Sequence, residues 1–176
     1  MGQSLKKEIL SWFKSLLFAV ILVFICQQFI FTPMTVLGSS MQPTFTNKEK
    51  VIVSKTSSPK RFDIVTFHAP GTNDDYIKRV IGLPGDHVKM QKDMLFINGK
   101  KYNEPYLKSA KSALDGQDYL TNDFDIHVPD NTLFVLGDNR KVSNDSRIFG
   151  TIQSESVIGV VKCTYYPLKH FSLTNH

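Results

Sequence analysis

Residues 15 to 31, SLLFAVILVFICQQFIF, carry no charge. As a helix they span about 26 Å, slightly short of a ~30 Å hydrocarbon core, and Ile9 to Phe13 close the gap with Lys14 snorkelling toward the interface. Such a run confines the chain to a membrane span, a removable leader or a buried core helix. Lys6, Lys7 and Lys14 face a single acid, Glu8, across this end of the chain, which predicts a cytoplasmic N-terminus and export of everything after Thr32. Trp12 suits the interface. A removable leader needs small residues at −1 and −3 and an apolar centre of about 7 to 15 residues. Here the apolar run is longer, and FIFTPMTVLGSS offers only Val36/Gly38 or Gly38/Ser40. The expectation is a cytoplasmic segment over 1–14, a retained anchor over 15–32 and an extracytoplasmic domain over 33–176.

Beyond the run, short β-branched segments alternate with turns. KVIVSK (Lys50 to Lys55), FDIVTFH (Phe62 to His68), YIKRVIG (Tyr76 to Gly82), MLFINGKKY (Met94 to Tyr102), TLFVLG (Thr132 to Gly137) and SVIGVVKCTYY (Ser156 to Tyr166) read as strands. Asn98-Gly99 predicts a type I′ hairpin, because both central positions of that turn need φ > 0. From about 89 to 129 the sequence is more polar, and SAKSALDGQDY is too loose for a core strand. That stretch reads as an excursion from a main sheet that resumes at Thr132.

Composition excludes several classes. With 176 residues and a net charge of +5, the chain fits one modest domain, and its lysines are scattered rather than gathered on a basic, aromatic-laced face. Nucleic acid is not an expected partner. Cys26 sits in the apolar run and Cys163 near the C-terminus, so no disulfide framework is predicted. His68, His87, His127, His170 and His176 show no metal-ligand spacing, and neither metal nor cofactor is expected.

Three islands remain: GSSMQPT, DYIKRVIGLPGD and LGDNRKVSNDSRIFG. In the first, Ser39 and Ser40 read as ordinary turn residues or as a nucleophile, and a serine nucleophile needs a base. No histidine is marked for that task. Lys78 lies between Ile77 and Val80 on a strand pattern; buried there, with no carboxylate beside it, its amine would have a lowered pKa of ~8 to 9 and act as base. The competing reading makes Lys78 and Arg79 exposed charges on a strand edge. GLPGD closes that strand in a tight turn. The third island reads either as a solvated loop with surface ion pairs or as a built site, the latter favoured by its density of Asp138, Arg140, Asp145 and Arg147 directly after an apolar strand.

Taken together, G-x-S-M-x-P-T at Gly38 to Thr44, Y-I-K-R-V-I-G-L-P-G-D at Tyr76 to Asp86 and G-D-N-R-x-x-S-x-D-S-R-x-x-G at Gly137 to Gly150 closely resemble the bacterial type I signal peptidases. The likeness, to the small single-anchor Gram-positive kind, covers essentially the whole chain. It implies a mostly β fold: a transmembrane helix, then an antiparallel β domain with a small inserted β cap at about 89–129. It also implies Ser40 as nucleophile and Lys78 as general base. Ser143 would orient the base, and an Asp145–Arg147 ion pair would hold the loop. Val36, Leu37, Met41, Phe45, Tyr76 and Ile77 match residues lining pockets for small side chains at −1 and −3. The implied partners are signal-peptide-bearing preproteins, the lipid bilayer and the export machinery. One place departs from Gram-negative relatives: Gly38 stands where a serine supplies an oxyanion donor. A repressor-type self-cleaving Ser/Lys peptidase and a non-catalytic tethered β module are the alternative readings. The anchor and the lack of a DNA-binding helix pair argue against the first, and the presence of both Ser40 and Lys78 against the second.

Overall fold

The computed structural model describes residues 2–114 and 119–174, so part of SAKSALDGQDY, residues 115–118, lies outside the described residues. Helix α1 spans Gly2–Phe29. Its Lys6–Phe29 stretch is long and apolar enough to cross a membrane, and 24 residues reach about 36 Å. Among the described residues none buries that stretch: Trp12, Phe18 and Phe24 are each at least 66 % exposed.

The helix stops where Pro33 disfavours a helical conformation at Thr32. Residues 31 and 32, expected as the end of the span, therefore begin strand β1 (Phe31–Thr35). Two contacts from Lys55 fix the junction: its amine donates to the Gln28 carbonyl at 2.9 Å, and its backbone N–H to Ile30. A cation at a helix C-terminus is favourably placed against the helix dipole.

Eleven more strands follow among the described residues: β2 (Lys50–Ser54), β3 (Ile64–His68), β4 (Asp75–Gly82), β5 (His87–Gln91), β6 (Met94–Ile97), β7 (Lys100–Tyr102), β8 (Phe124–His127), β9 (Thr132–Leu136), β10 (Ile152–Gln153), β11 (Val157–Tyr166) and β12 (Ser172–Leu173). Short helices α2 (Lys108–Ser112) and α3 (Ser146–Phe149) interrupt them. The larger sheet runs β1-β2-β11-β3-β4-β9-β10, with β12 added to β11. A smaller sheet runs β7-β6-β5-β8. All pairings are antiparallel, and Pro33 is tolerated because β1 is an edge strand.

Each expected strand segment contains an observed strand. Phe62 falls outside β3 because its φ is 69°. At the hairpin between β6 and β7, Asn98 and Gly99 both have positive φ, 52° and 76°. The excursion opens earlier than expected, since His87 already pairs with His127. Strands β1, β5, β8, β10 and β12 lie outside the expected segments, being short, polar or adjoined to the apolar run.

Strand β4 explains why Lys78 is buried. It lies between β3 and β9 and contributes Ile77, Val80 and Ile81 to three different apolar clusters. The first of these, with Met41, Phe45 and Val51, underlies the turn after β1. The second joins the two sheets through Ile81 and Phe134 on one side and Val88 and Leu95 on the other.

Candidate active site

Ser40 sits half-buried in the turn that follows β1. Met41 and Phe45, 1 % and 4 % exposed, sink into the apolar cluster below and hold that turn in place. From β4, opposite Val65, the Lys78 amine donates to Ser40 Oγ at 2.9 Å and to the Ile77 carbonyl at 3.1 Å. It also lies 5.0 Å from the centre of the Tyr76 ring. Ser39 is engaged differently, its carbonyl accepting from Asn139 Nδ2 at 3.1 Å. The structure thus brings Ser40, not Ser39, to the amine.

Burial pushes the Lys78 amine down to about 8, while Asp145 and Asp138 pull it upward. The two carboxylates oppose the shift, so the expectation of none nearby needs correcting. Burial prevails because both acids are already engaged. Asp138 takes two hydrogen bonds from Arg79, at 2.9 and 2.6 Å, and Asp145 takes two from Arg147, both at 2.8 Å. An amine with a pKa near 8 is neutral in roughly one molecule in eleven at pH 7, a handicap of about 1.4 kcal/mol; the ordinary value would cost ~4.6 kcal/mol.

The three sequence islands interlock around this pair. Asp138 accepts from Thr44 of the first island and Arg79 of the second, so one buried carboxylate joins all three. Asp145 also receives the Gly137 N–H at 2.9 Å. Asn139 N–H donates to the Ser40 carbonyl at 3.0 Å. Gly137 is pressed so closely that a Cβ there would lie 2.1 Å from Ser143 Oγ and 2.5 Å from the Ser40 carbonyl oxygen. Only glycine fits.

Ser143 is buried beside this glycine, yet its hydroxyl has no hydrogen-bond partner among the described residues and does not bond to Lys78. Arg140, expected only as part of a dense loop, is fully buried; it donates to the Gly137 carbonyl and pairs with Glu104 of the excursion. Sequence spacing does not reveal the contacts of Asp138 with Thr44 and Arg79, of Asn139 with Ser39 and Ser40, or of Arg140 with Glu104, because each of these partners lies at least 36 residues away.

A cleft of about 670 Å³ opens beside the serine and the lysine. Val36, Leu37, Tyr76 and Ile77 line it, whereas Met41 and Phe45 do not and form the packed floor instead. Val142 and Asn144 close one side. Thr66, unflagged in the sequence, lies in the wall with Met34, Val51 and Ile77; it is 3 % exposed, and its hydroxyl has no partner among the described residues. The Ser40 backbone N–H is likewise unpartnered among the described residues, while the Gly38 N–H is spent on Asn47 Oδ1 at 3.1 Å. Gly38 has φ 85°, a left-handed conformation that disfavours any side chain.

Comparison with known proteins agrees with these motifs. The family described as "Signal peptidase, peptidase S26" matches residues 9–166. Signal peptidase I S of Bacillus subtilis is 45 % identical, aligned over 98 % of this chain and 97 % of its own. Signal peptidase IB of Staphylococcus aureus is 42 % identical over 95 % and 94 %. A crystal structure of a signal peptidase I from Enterococcus faecalis superposes with a TM-score of 0.58 at 42 % identity, covering 59 % of this chain and 97 % of that one. The chain belongs to the peptidase S26 family of signal peptidases.

Proposed function

We propose that this protein is a membrane-anchored serine endopeptidase that removes N-terminal signal peptides from exported preproteins. The observation carrying the reading is the 2.9 Å contact from a buried lysine amine to Ser40 Oγ, with that amine near pKa 8. Neutral Lys78 takes the Ser40 proton as Oγ attacks the carbonyl of the −1 residue. The tetrahedral intermediate collapses as Lys78 returns the proton to the leaving amine, which frees the mature protein's N-terminus. Water, deprotonated in turn by Lys78, then hydrolyses the acyl-enzyme. The Ser40 N–H is available to the developing oxyanion; the Gly38 N–H, held by Asn47, is not. Val36 and Ile77 shape a cleft wall that accepts small side chains at −1 and −3 and rejects larger ones by clash.

With α1 across the bilayer and Lys6, Lys7 and Lys14 on the cytoplasmic side, the domain stands on the outer face. The Lys55 contacts to the helix end keep the cleft near the lipid surface, where preproteins emerge from the export machinery. Incubation with a preprotein carrying Ala at −3 and −1 tests the reading. Ser40→Ala is expected to abolish cleavage and Ser39→Ala to retain substantial activity. A dead Ser39→Ala beside an active Ser40→Ala would overturn the assignment.

A further inference from the structure

The smaller sheet carries a side-chain cluster that the peptidase chemistry does not use. His87 on β5 stands opposite His127 on β8, and Asp125, two residues earlier on β8, projects from the same face. The two imidazole rings stack with centroids 4.2 Å apart and planes 4° from parallel. His87 Nε2 hydrogen-bonds Asp125 Oδ1. One donor atom from each of the three residues lies within 4.8 Å of the other two. We propose that His87, Asp125 and His127 form a surface site for an imidazole-seeking divalent metal ion, with Zn²⁺ as its representative.

Two features favour this over a plain charge cluster. First, two imidazoles and one carboxylate are a ligand set suited to first-row transition metals rather than Ca²⁺ or Mg²⁺, which prefer all-oxygen shells. Second, donors around a tetrahedral ion with bonds of ~2.1 Å sit about 3.4 Å apart, so the observed cluster needs only side-chain rotation to close. The ligands come from paired strands, which fix the backbone spacing. The exposed side of the cluster leaves coordination positions open to water.

One neighbour opposes binding. Lys89 Nζ lies 3.6 Å from Asp125 Oδ2, so its charge competes with a metal for the same carboxylate. That competition supplies a readout that a purely structural cluster would not show. The site would link β5 to β8, the first and last strands of the excursion. No part of it lines the cleft beside Ser40.

The test is calorimetric titration of Zn²⁺ into the full-length, chelator-treated protein in detergent micelles, with peptide cleavage as the check on folding. The expected result is a saturable event at one ion per chain. His87→Gln and His127→Gln each weaken it at least tenfold while cleavage is unchanged, and Lys89→Ala tightens it. Wild-type protein showing no one-to-one binding would overturn the site, as would histidine variants titrating like wild type. If a histidine variant loses cleavage through misfolding, Lys89→Ala decides: affinity unchanged or weakened contradicts competition at Asp125.

Discussion

The two loops that meet at Lys78 are held by opposite means. The turn carrying Ser40 rests on apolar side chains, Met41 and Phe45, packed beneath it. The loop from Gly137 to Gly150 is held by buried charges, Asp138 with Arg79 and Asp145 with Arg147. This contrast explains how a lysine can lose its proton among so many ions. Every buried carboxylate within reach is saturated by a guanidinium, which cannot be deprotonated, and the lysine is left with a serine and a carbonyl. Arg79 and Lys78 are adjacent on one strand, yet only the arginine is given a counter-ion. Exchange of the two cations would therefore not be conservative.

Removing one member of the charged loop should have the largest effect. Asp138→Ala leaves Arg79 buried without its partner and Thr44 without its acceptor, at a cost of about 3 to 5 kcal/mol in unfolding free energy. It also removes a carboxylate that raises the Lys78 pKa, so the ascending limb of the pH–rate profile should move to lower pH. Met41→Ala empties part of the apolar floor and should cost roughly 2 to 4 kcal/mol. Its ascending limb should stay in place, because no charge changes. Chemical denaturation and pH–rate profiles of the two variants distinguish the supports; a shifted limb in Met41→Ala would blur them.

The smallest effect concerns Thr66. Its buried, unpartnered hydroxyl lies in an apolar part of the cleft wall, where a hydroxyl on the substrate can satisfy it. Wild-type enzyme should prefer Ser over Ala at −3, and Thr66→Val should lower that kcat/KM ratio by roughly 3- to 10-fold, the worth of one hydrogen bond. Matched peptides check this, and equal ratios in both enzymes would mean that water already satisfies the hydroxyl.

Much of this architecture was legible because it is local. β-Branched runs marked the central strands, Asn98-Gly99 marked its hairpin, and an uncharged run marked α1. Ser40 and Lys78 were legible only through motif likeness, since neither carries a local signal separating it from Ser39 or Arg79. What escaped depends on chain segments brought together by the sheets. Glu104 reaches Arg140, Thr44 reaches Asp138, and His87 meets His127, across separations that no periodicity encodes. Edge strand β1 was hidden because Phe31 and Thr32 continue the apolar run, although Pro33 already barred a longer helix. Met41 and Phe45 match pocket residues by motif position, which places them close to the cleft, while their size and apolarity draw them into the core below it.

The pH dependence of peptide cleavage by wild type and Lys78→Met tests most directly whether Lys78 is the base. A buried amine near 8 must be deprotonated to act, so kcat/KM should climb as pH rises through that value and level off about one unit above it. Methionine keeps much of the apolar bulk and removes the amine, so Lys78→Met should fold, lose the climb and lose activity. A wild-type profile flat between about pH 6 and about pH 10 would contradict Lys78 as the titrating base. So would a Lys78→Met enzyme keeping about a tenth of wild-type turnover, a deficit of only ~1.4 kcal/mol in the barrier.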